Sequence, residues 1–142
     1  MQAGVRKYSR LFCFKEDTMT IQEAISLTDE LKANMMVSST KIRFLSELEG
    51  KLYKEIFTKH ADVPVEECPI YDESTDTSTE MLVPAPYDFI YVRWLISQID
   101  IMNQEMDKYN NDRALFENAW TEFGDYWRRE HMPVSTAQRF II

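Results

Sequence analysis

Glycine and proline are scarce in this chain, three and five among 142 residues. That scarcity excludes collagen-like, linker-dominated and turn-rich β architectures, which depend on these residues for their repeats and turns. Cysteine is scarcer still: Cys13 and Cys68 sit in dissimilar contexts with no CxxC spacing, so two reduced thiols are expected rather than a disulfide framework. No segment approaches the roughly 18 consecutive apolar residues that span a bilayer, and the first residues lack the apolar core of a signal peptide. A soluble chain without a membrane partner is expected. Cations are in deficit, 16 Lys and Arg against 24 Asp and Glu, for a net charge of −8. A protein that grips nucleic acid with its whole surface is therefore disfavoured, because phosphate binding rests on net cationic patches, while local patches stay open. Only two histidines are present, His60 and His131, each at the end of a different helical pattern. With no Gly-rich phosphate loop, HExxH, GxSxG or Cys/His cluster, no catalytic residue, metal ligand or cofactor is assigned, and an enzyme is not expected.

What is present is apolar and periodic. Hydrophobic residues make up 44% and aromatics 13%, more than a disordered chain carries. The expected fold is all-α, a helical bundle of about four helices with an acidic, hairpin-like loop between helices two and three. Thr20 and Glu23 form a capping box, opening a helix that carries Ile21, Ala24, Ile25 and Leu31 and ends near Ala33-Asn34. Ser38 or Ser39 is expected to cap the second helix. There Ile42, Leu45, Leu48, Leu52 and Ile56 recur at spacings of three and four, with Lys41, Glu47, Glu49, Lys51, Lys54 and Glu55 on the opposite, solvated face. Gly50 interrupts it, implying an exposed site or a close helix crossing. Met35 and Met36 lie outside these stripes.

Between Ala61 and Asp88 the chain has no Lys or Arg, four prolines and eight acids. Pro69-Ile70-Tyr71 and Met81-Leu82-Val83 are short β-prone runs flanking a polar tip, which predicts an irregular hairpin. The acids Asp72, Glu73, Asp76 and Glu80 could offer oxygen ligands to Ca²⁺ but lack the glycine and spacing of an EF-hand, and read as a solvated loop with few core contacts. Pro86 suits the first turn of a third helix, along which Val92, Leu95, Ile99, Met102, Met106 and Tyr109 form a heptad-like seam. Asn110-Asn111-Asp112 predicts a break or kink, with Asn111 or Asp112 capping a fourth helix whose apolar stripe is Leu115, Phe116, Ala119, Trp120, Phe123, Tyr126 and Trp127. His131 is expected to close that helix and Pro133 to stop it. Tyr91, Leu95, Ile99, Met102, Leu115, Ala119, Trp120 and Phe123 are expected to be buried together.

Three divisions follow. Residues 1–18 carry Arg6, Lys7, Arg10 and Lys15 against Glu16 and Asp17, a net +2 that leaves −10 for the remainder. Met19 directly precedes the first helix cap, and codons for Lys15-Glu16-Asp17 can spell a ribosome-binding sequence, so residues 1–18 are expected either to lie upstream of the native start or to form a basic arm that docks on a partner through Tyr8, Leu11, Phe12 and Phe14. Residues 19–132 form the helical domain, with the acidic insertion at 61–87. Residues 133–142 form a tail read in two ways, as disordered in the free protein or as an arm docking on another subunit, with Phe140, Ile141 and Ile142 as apolar anchors and Arg139 pairing with an acidic partner.

The stretch Glu80-Met81-Leu82-Val83-Pro84-Ala85-Pro86-Tyr87-Asp88, with Ile99-Asp100, Lys108-Tyr109-Asn110-Asn111, Phe116, Ala119 and His131-Met132-Pro133, resembles small structural proteins encoded in prophages of Gram-positive bacteria. These are similar to the head-to-tail connector, or adaptor (head-completion), proteins of long-tailed bacteriophages. The resemblance runs from Thr20 to Pro133. It implies a virion protein, made in the host cytoplasm, that assembles as a homo-oligomeric ring of about twelve subunits and continues the DNA channel from the portal vertex to the tail. Its implied partners are the portal protein, gripped by the tail with Arg139, Phe140, Ile141 and Ile142, and the next tail-completion protein, reached by the loop with Asp72, Glu73, Asp76 and Glu80. DNA would pass without specific binding, since an acidic lumen repels phosphate. Two other readings are another minor capsid or tail-assembly protein and a soluble acidic inhibitor that mimics DNA.

Overall fold

The computed structural model of the protein describes residues 18–60, 63 and 65–131. β1 (Thr18–Thr20) leads directly into α1 (Ile21–Leu31), followed by α2 (Ser38–Glu55) and a 3-10 turn at Phe57–Lys59. β2 (Glu80–Pro84), a second 3-10 turn at Tyr87–Phe89, α3 (Ile90–Met102) and α4 (Met106–Glu130) complete the order. The fold is mostly helical, but β1 and β2 pair as a small antiparallel sheet, so it is not a pure bundle.

The capping box at the start of α1 is present. Thr20 Oγ1 accepts from the Glu23 amide at 3.1 Å, and the Glu23 carboxylate accepts from the Thr20 amide at 3.0 Å. The next two amides are met from far away in sequence: Ile21 N donates to Thr79 O at 3.0 Å and Gln22 N to Thr77 O at 2.9 Å. The acidic insertion thus completes the cap of the first helix. Ile21, Ala24, Ile25 and Thr28 form the buried face of α1. Leu31, expected in that stripe, is exposed because the helix ends there.

α2 begins without a serine cap. Val37 holds the N-cap position, its carbonyl accepting from Thr40 and Lys41, and Ser38 and Ser39 fall inside the first turn. Lys41 is buried, not solvated, because its ammonium meets Asp29 of α1 at 2.5 Å. Ile42, Leu45, Leu48, Leu52 and Ile56 line the core, and Glu49 is buried among them.

The expected hairpin does not form. Met81-Leu82-Val83 lies in β2, whose partner is β1: Thr18 faces Pro84 and Thr20 faces Glu80. The Pro69-Ile70-Tyr71 run is committed to α2 instead, with the Tyr71 amide donating to Ser46 Oγ at 3.0 Å. Upstream, the Tyr53 hydroxyl donates to Glu66 O at 2.8 Å, so the insertion runs back along α2. Pro86 sits ahead of the 3-10 turn at Tyr87–Phe89 rather than in the first turn of a helix.

The break between the last two helices falls at Asn103-Gln104-Glu105, not at Asn110-Asn111-Asp112, which lies inside continuous α4. Gln104 adopts a left-handed φ of 60°. Its amide donates to Ile101 O at 3.0 Å and that of Glu105 to Asp100 O at 2.9 Å, the Schellman pattern that ends helices at a left-handed residue. The seam is cut there, which leaves Met102 and Met106 exposed.

Tyr91, Leu95, Ile99 and Phe123 are buried, while Ala119 and Trp120 are half-buried and Leu115 is exposed. The turn at 103–105 sets the rotation of α4 so that Phe116, Phe123 and Trp127 face inward. Phe57 receives Trp127 edge-on at a centroid distance of 4.7 Å. His131 closes α4, its Nδ1 3.0 Å from Trp127 O and its ring stacked on Trp127.

Gly50 marks neither a helix crossing nor an open site. A Cβ built there would lie 3.9 Å from Cys68 Sγ, an ordinary contact with the insertion. Gly50→Ala is therefore expected to raise stability by about 1 kcal/mol through helix propensity alone, measured by urea unfolding; a loss of stability would show that the insertion packs tighter than this spacing.

Candidate functional site

The richest cluster of chemical groups is centred on Glu49. Position 49 lies four residues after Leu45 and three before Leu52, so its side chain shares their inward stripe. Oε1 accepts from the Tyr91 hydroxyl at 2.5 Å; Oε2 accepts from the Tyr71 hydroxyl at 2.7 Å and the Leu82 amide at 2.9 Å. Tyr91 in turn accepts from the Val83 amide at 2.9 Å. One carboxylate thus joins α2, the insertion, β2 and α3. Burial pushes the Glu49 carboxyl above its usual range despite these three donors. Burial, followed by the Glu49 charge, also pushes both tyrosines up. Glu49 and Tyr91 are fully enclosed, and the geometry is that of an anchor.

A second polar cluster sits where α1 ends beside the α3–α4 turn. Lys32 Nζ is 2.7 Å from both Asp100 Oδ1 and Glu105 Oε1, and Lys108 reaches Glu105 at 3.2 Å. Hydrogen bonds from Lys32 and then Lys108 pull the Glu105 carboxyl down to about 2. Asp100 is fully buried, and apart from the Lys32 ion pair its oxygens meet no aligned hydrogen-bond donor. Asp112, facing it from α4, is pushed up to about 6 by burial first and then by Asp100. A proton on Asp112 supplies the donor that Asp100 lacks.

Third, α2, α3 and α4 enclose an open cleft of about 360 Å³. Trp94, Phe116 and Trp120 form its aromatic part. The Lys51 ammonium stands 5.1 Å from the Trp94 ring centroid, and the Arg113 guanidinium 5.5 Å from that of Phe116. Glu55 and Glu117 stand at the rim, Glu117 paired with Arg113 Nε at 3.0 Å.

Of the residues singled out in the sequence, Asp72, Glu73, Asp76 and Glu80 are exposed on the insertion. They do not converge. Asp72 Oδ1 accepts from the Ser74 amide at 2.9 Å, and Asp76 Oδ1 from the Ser78 amide at 3.0 Å, each closing its own turn. The Ser74 hydroxyl and then its amide lower the Asp72 carboxyl, and the Ser78 amide lowers that of Asp76. Glu80 accepts from Thr18 Oγ1, and Glu73 borders a shallow cleft with Arg43. Among the described residues no group of three or more His, Cys, Asp or Glu side chains is placed to hold a metal, and no helix is long and apolar enough to cross a membrane. Arg139, Phe140, Ile141 and Ile142 lie outside the described residues, as do Cys13 and residues 1–17 of the expected extension 1–18, whose last residue, Thr18, belongs to β1.

Sequence reasoning missed Glu49, Asp100 and Asp112. The available signal was position: Glu49 falls on the apolar stripe of α2, and Asp100 directly follows Ile99 of the buried seam. Comparison with family models, curated proteins and solved structures returned no match.

Two measurements check these clusters. Glu49→Leu strands two buried hydroxyls and an amide, and is expected to cost about 3 kcal/mol in chemical unfolding; a loss under about 1 kcal/mol would contradict the anchor. Asp112 has a folded pKa near 6 against an ordinary value of 3.8. Its stabilising contribution is therefore complete below about pH 4 and is lost as pH rises through 6. Asp112→Asn keeps a donor toward Asp100 at every pH, so its melting temperature should exceed the parent's at pH 7.5 and converge with it near pH 4. A gap that does not change with pH would refute the shared proton.

Proposed function

We propose that this chain is a structural virion protein, a connector that joins the portal vertex of a capsid to its tail as a ring continuing the DNA channel. The reading is carried by the sequence resemblance from Thr20 to Pro133. Its most specific stretch, Glu80–Asp88, spans β2 and enters the following 3-10 turn. That segment receives the polar anchor of the fold through Leu82 and Val83.

One surface supports assembly. Leu31, Met35 and Val37 are exposed around the α1–α2 connection, and Ile101, Met102 and Met106 around the α3–α4 turn. The Lys32 ion pairs with Asp100 and Glu105 hold these two connections at the same end. A methionine-rich apolar end rimmed by charge suits a contact between subunits. The net charge of −8 suits a channel wall that releases phosphate rather than binding it. The acids of the insertion belong at the contact with the next tail-completion protein.

The test is assembly. Purified chain mixed with purified portal protein should yield rings of uniform stoichiometry on the portal by native mass spectrometry and electron microscopy. Met102→Lys/Met106→Lys should prevent ring formation while leaving the circular dichroism spectrum unchanged. A chain that stays monomeric and does not associate with portal would overturn the reading.

A further inference from the structure

We infer that the aromatic cleft is the docking site for residues 139–142 of the same chain, which fold back along α4 and cover Trp120. The cleft offers apolar walls from Trp94, Phe116 and Trp120; Lys51 and Arg113 stand over its rings, Glu117 is paired with Arg113, and Glu55 is the second acid of the lining. The segment Arg139-Phe140-Ile141-Ile142 carries the complementary pattern, one cation followed by three large apolar side chains. Arg139 meets the rim acids, and the apolar trio enters between Trp120 and the α2 face.

Direction and reach both favour this occupant. Phe116, Trp120, Trp127 and His131 follow one another on α4 at spacings of four, seven and four, which places them on one face. The His131 ring stacks on Trp127 at 3.7 Å, so the described chain ends on the face that carries the cleft wall. From His131 back to Glu117 is about 21 Å along the helix at 1.5 Å per residue. The nine residues from Met132 to Phe140 span up to about 30 Å when extended. The segment therefore reaches the cleft of its own chain without help from a second copy. An intramolecular partner also benefits from an effective concentration near the millimolar range, so modest contacts suffice to hold it.

The docking site does not depend on the connector reading. Where that reading holds, the cleft keeps the same four residues on their own subunit until a partner claims them. The test uses monomeric protein, so failure of the docking and failure of the connector reading appear in different experiments.

In a Cys13→Ser/Cys68→Ser background, Thr121→Cys at the cleft and Ile141→Cys are combined and oxidised at low protein concentration. The expected product is an internal disulfide whose yield does not change with dilution and exceeds at least tenfold that of a control pair, Ile141→Cys with Glu30→Cys on the exposed face of α1. Separately, truncation after Pro133 should shift tryptophan emission to the red and raise acrylamide quenching. The same truncation in a Trp120→Phe background should change neither. Absence of the internal disulfide, a disulfide formed only between chains, or a quenching change that persists without Trp120 would each overturn the proposal.

Discussion

A single carboxylate holds this fold to one arrangement. A buried charge is tolerated only where hydrogen bonds replace its lost hydration, and Glu49 takes its three donors from segments far apart in sequence. Each of those segments has other contacts as well, the Tyr71 amide with Ser46, β2 with β1, and α3 with the apolar core, and Glu49 is where they meet. Tyr71 comes from an insertion whose following residues, Asp72 to Glu80, face solvent, Leu82 from a five-residue strand, and Tyr91 from the first turn of α3. Apolar burial brings the helices together without choosing among rotations or registers. The demand of one carboxylate for three aligned donors makes that choice.

The insertion illustrates how structural and exposed roles divide along one segment. Its side chains between Asp72 and Glu80 are mostly solvated, which agrees with the expectation of few core contacts. Its backbone is not dispensable, because the carbonyls of Thr77 and Thr79 complete the cap of α1. Removing the tip would therefore leave the Ile21 and Gln22 amides without these partners, although the Thr20–Glu23 box would remain. The acids Asp72 and Asp76 close local turns, while the main chain ties the segment to the first helix.

The helical core was legible in the sequence wherever periodicity coincided with chemistry. The capping box at Thr20 and Glu23, the inward face of α2, and the aromatic residues Phe116, Phe123 and Trp127 were all readable from spacing alone. Three features were not. Glu49 was assigned to solvent because charge outweighed position in the reading, although its spacing from Leu45 and Leu52 pointed inward. The turn at Asn103-Gln104-Glu105 contains neither glycine nor proline, so the seam seemed to continue through it, whereas the Asn110-Asn111-Asp112 run is polar enough to mimic a break. β1 has only three residues and pairs with a strand that no local pattern connects to it. Of the candidate sites, the acids of the insertion were visible as composition; the Lys32, Asp100 and Asp112 cluster exists only after α1 and the α3–α4 turn have met.

The pairing of β1 with β2 also imposes an order on synthesis. Thr18 and Glu80 are separated by 62 positions, so α1 leaves the ribosome long before the carbonyls that cap it have been made. At translation rates of about 5 to 20 residues per second the interval is several seconds. α3 and α4, by contrast, adjoin across a short turn and can pair as soon as both have emerged. Until the sequence through β2 appears, nascent α1 therefore has its local Thr20–Glu23 capping box alone, with the amides of Ile21 and Gln22 still unmet by Thr79 and Thr77.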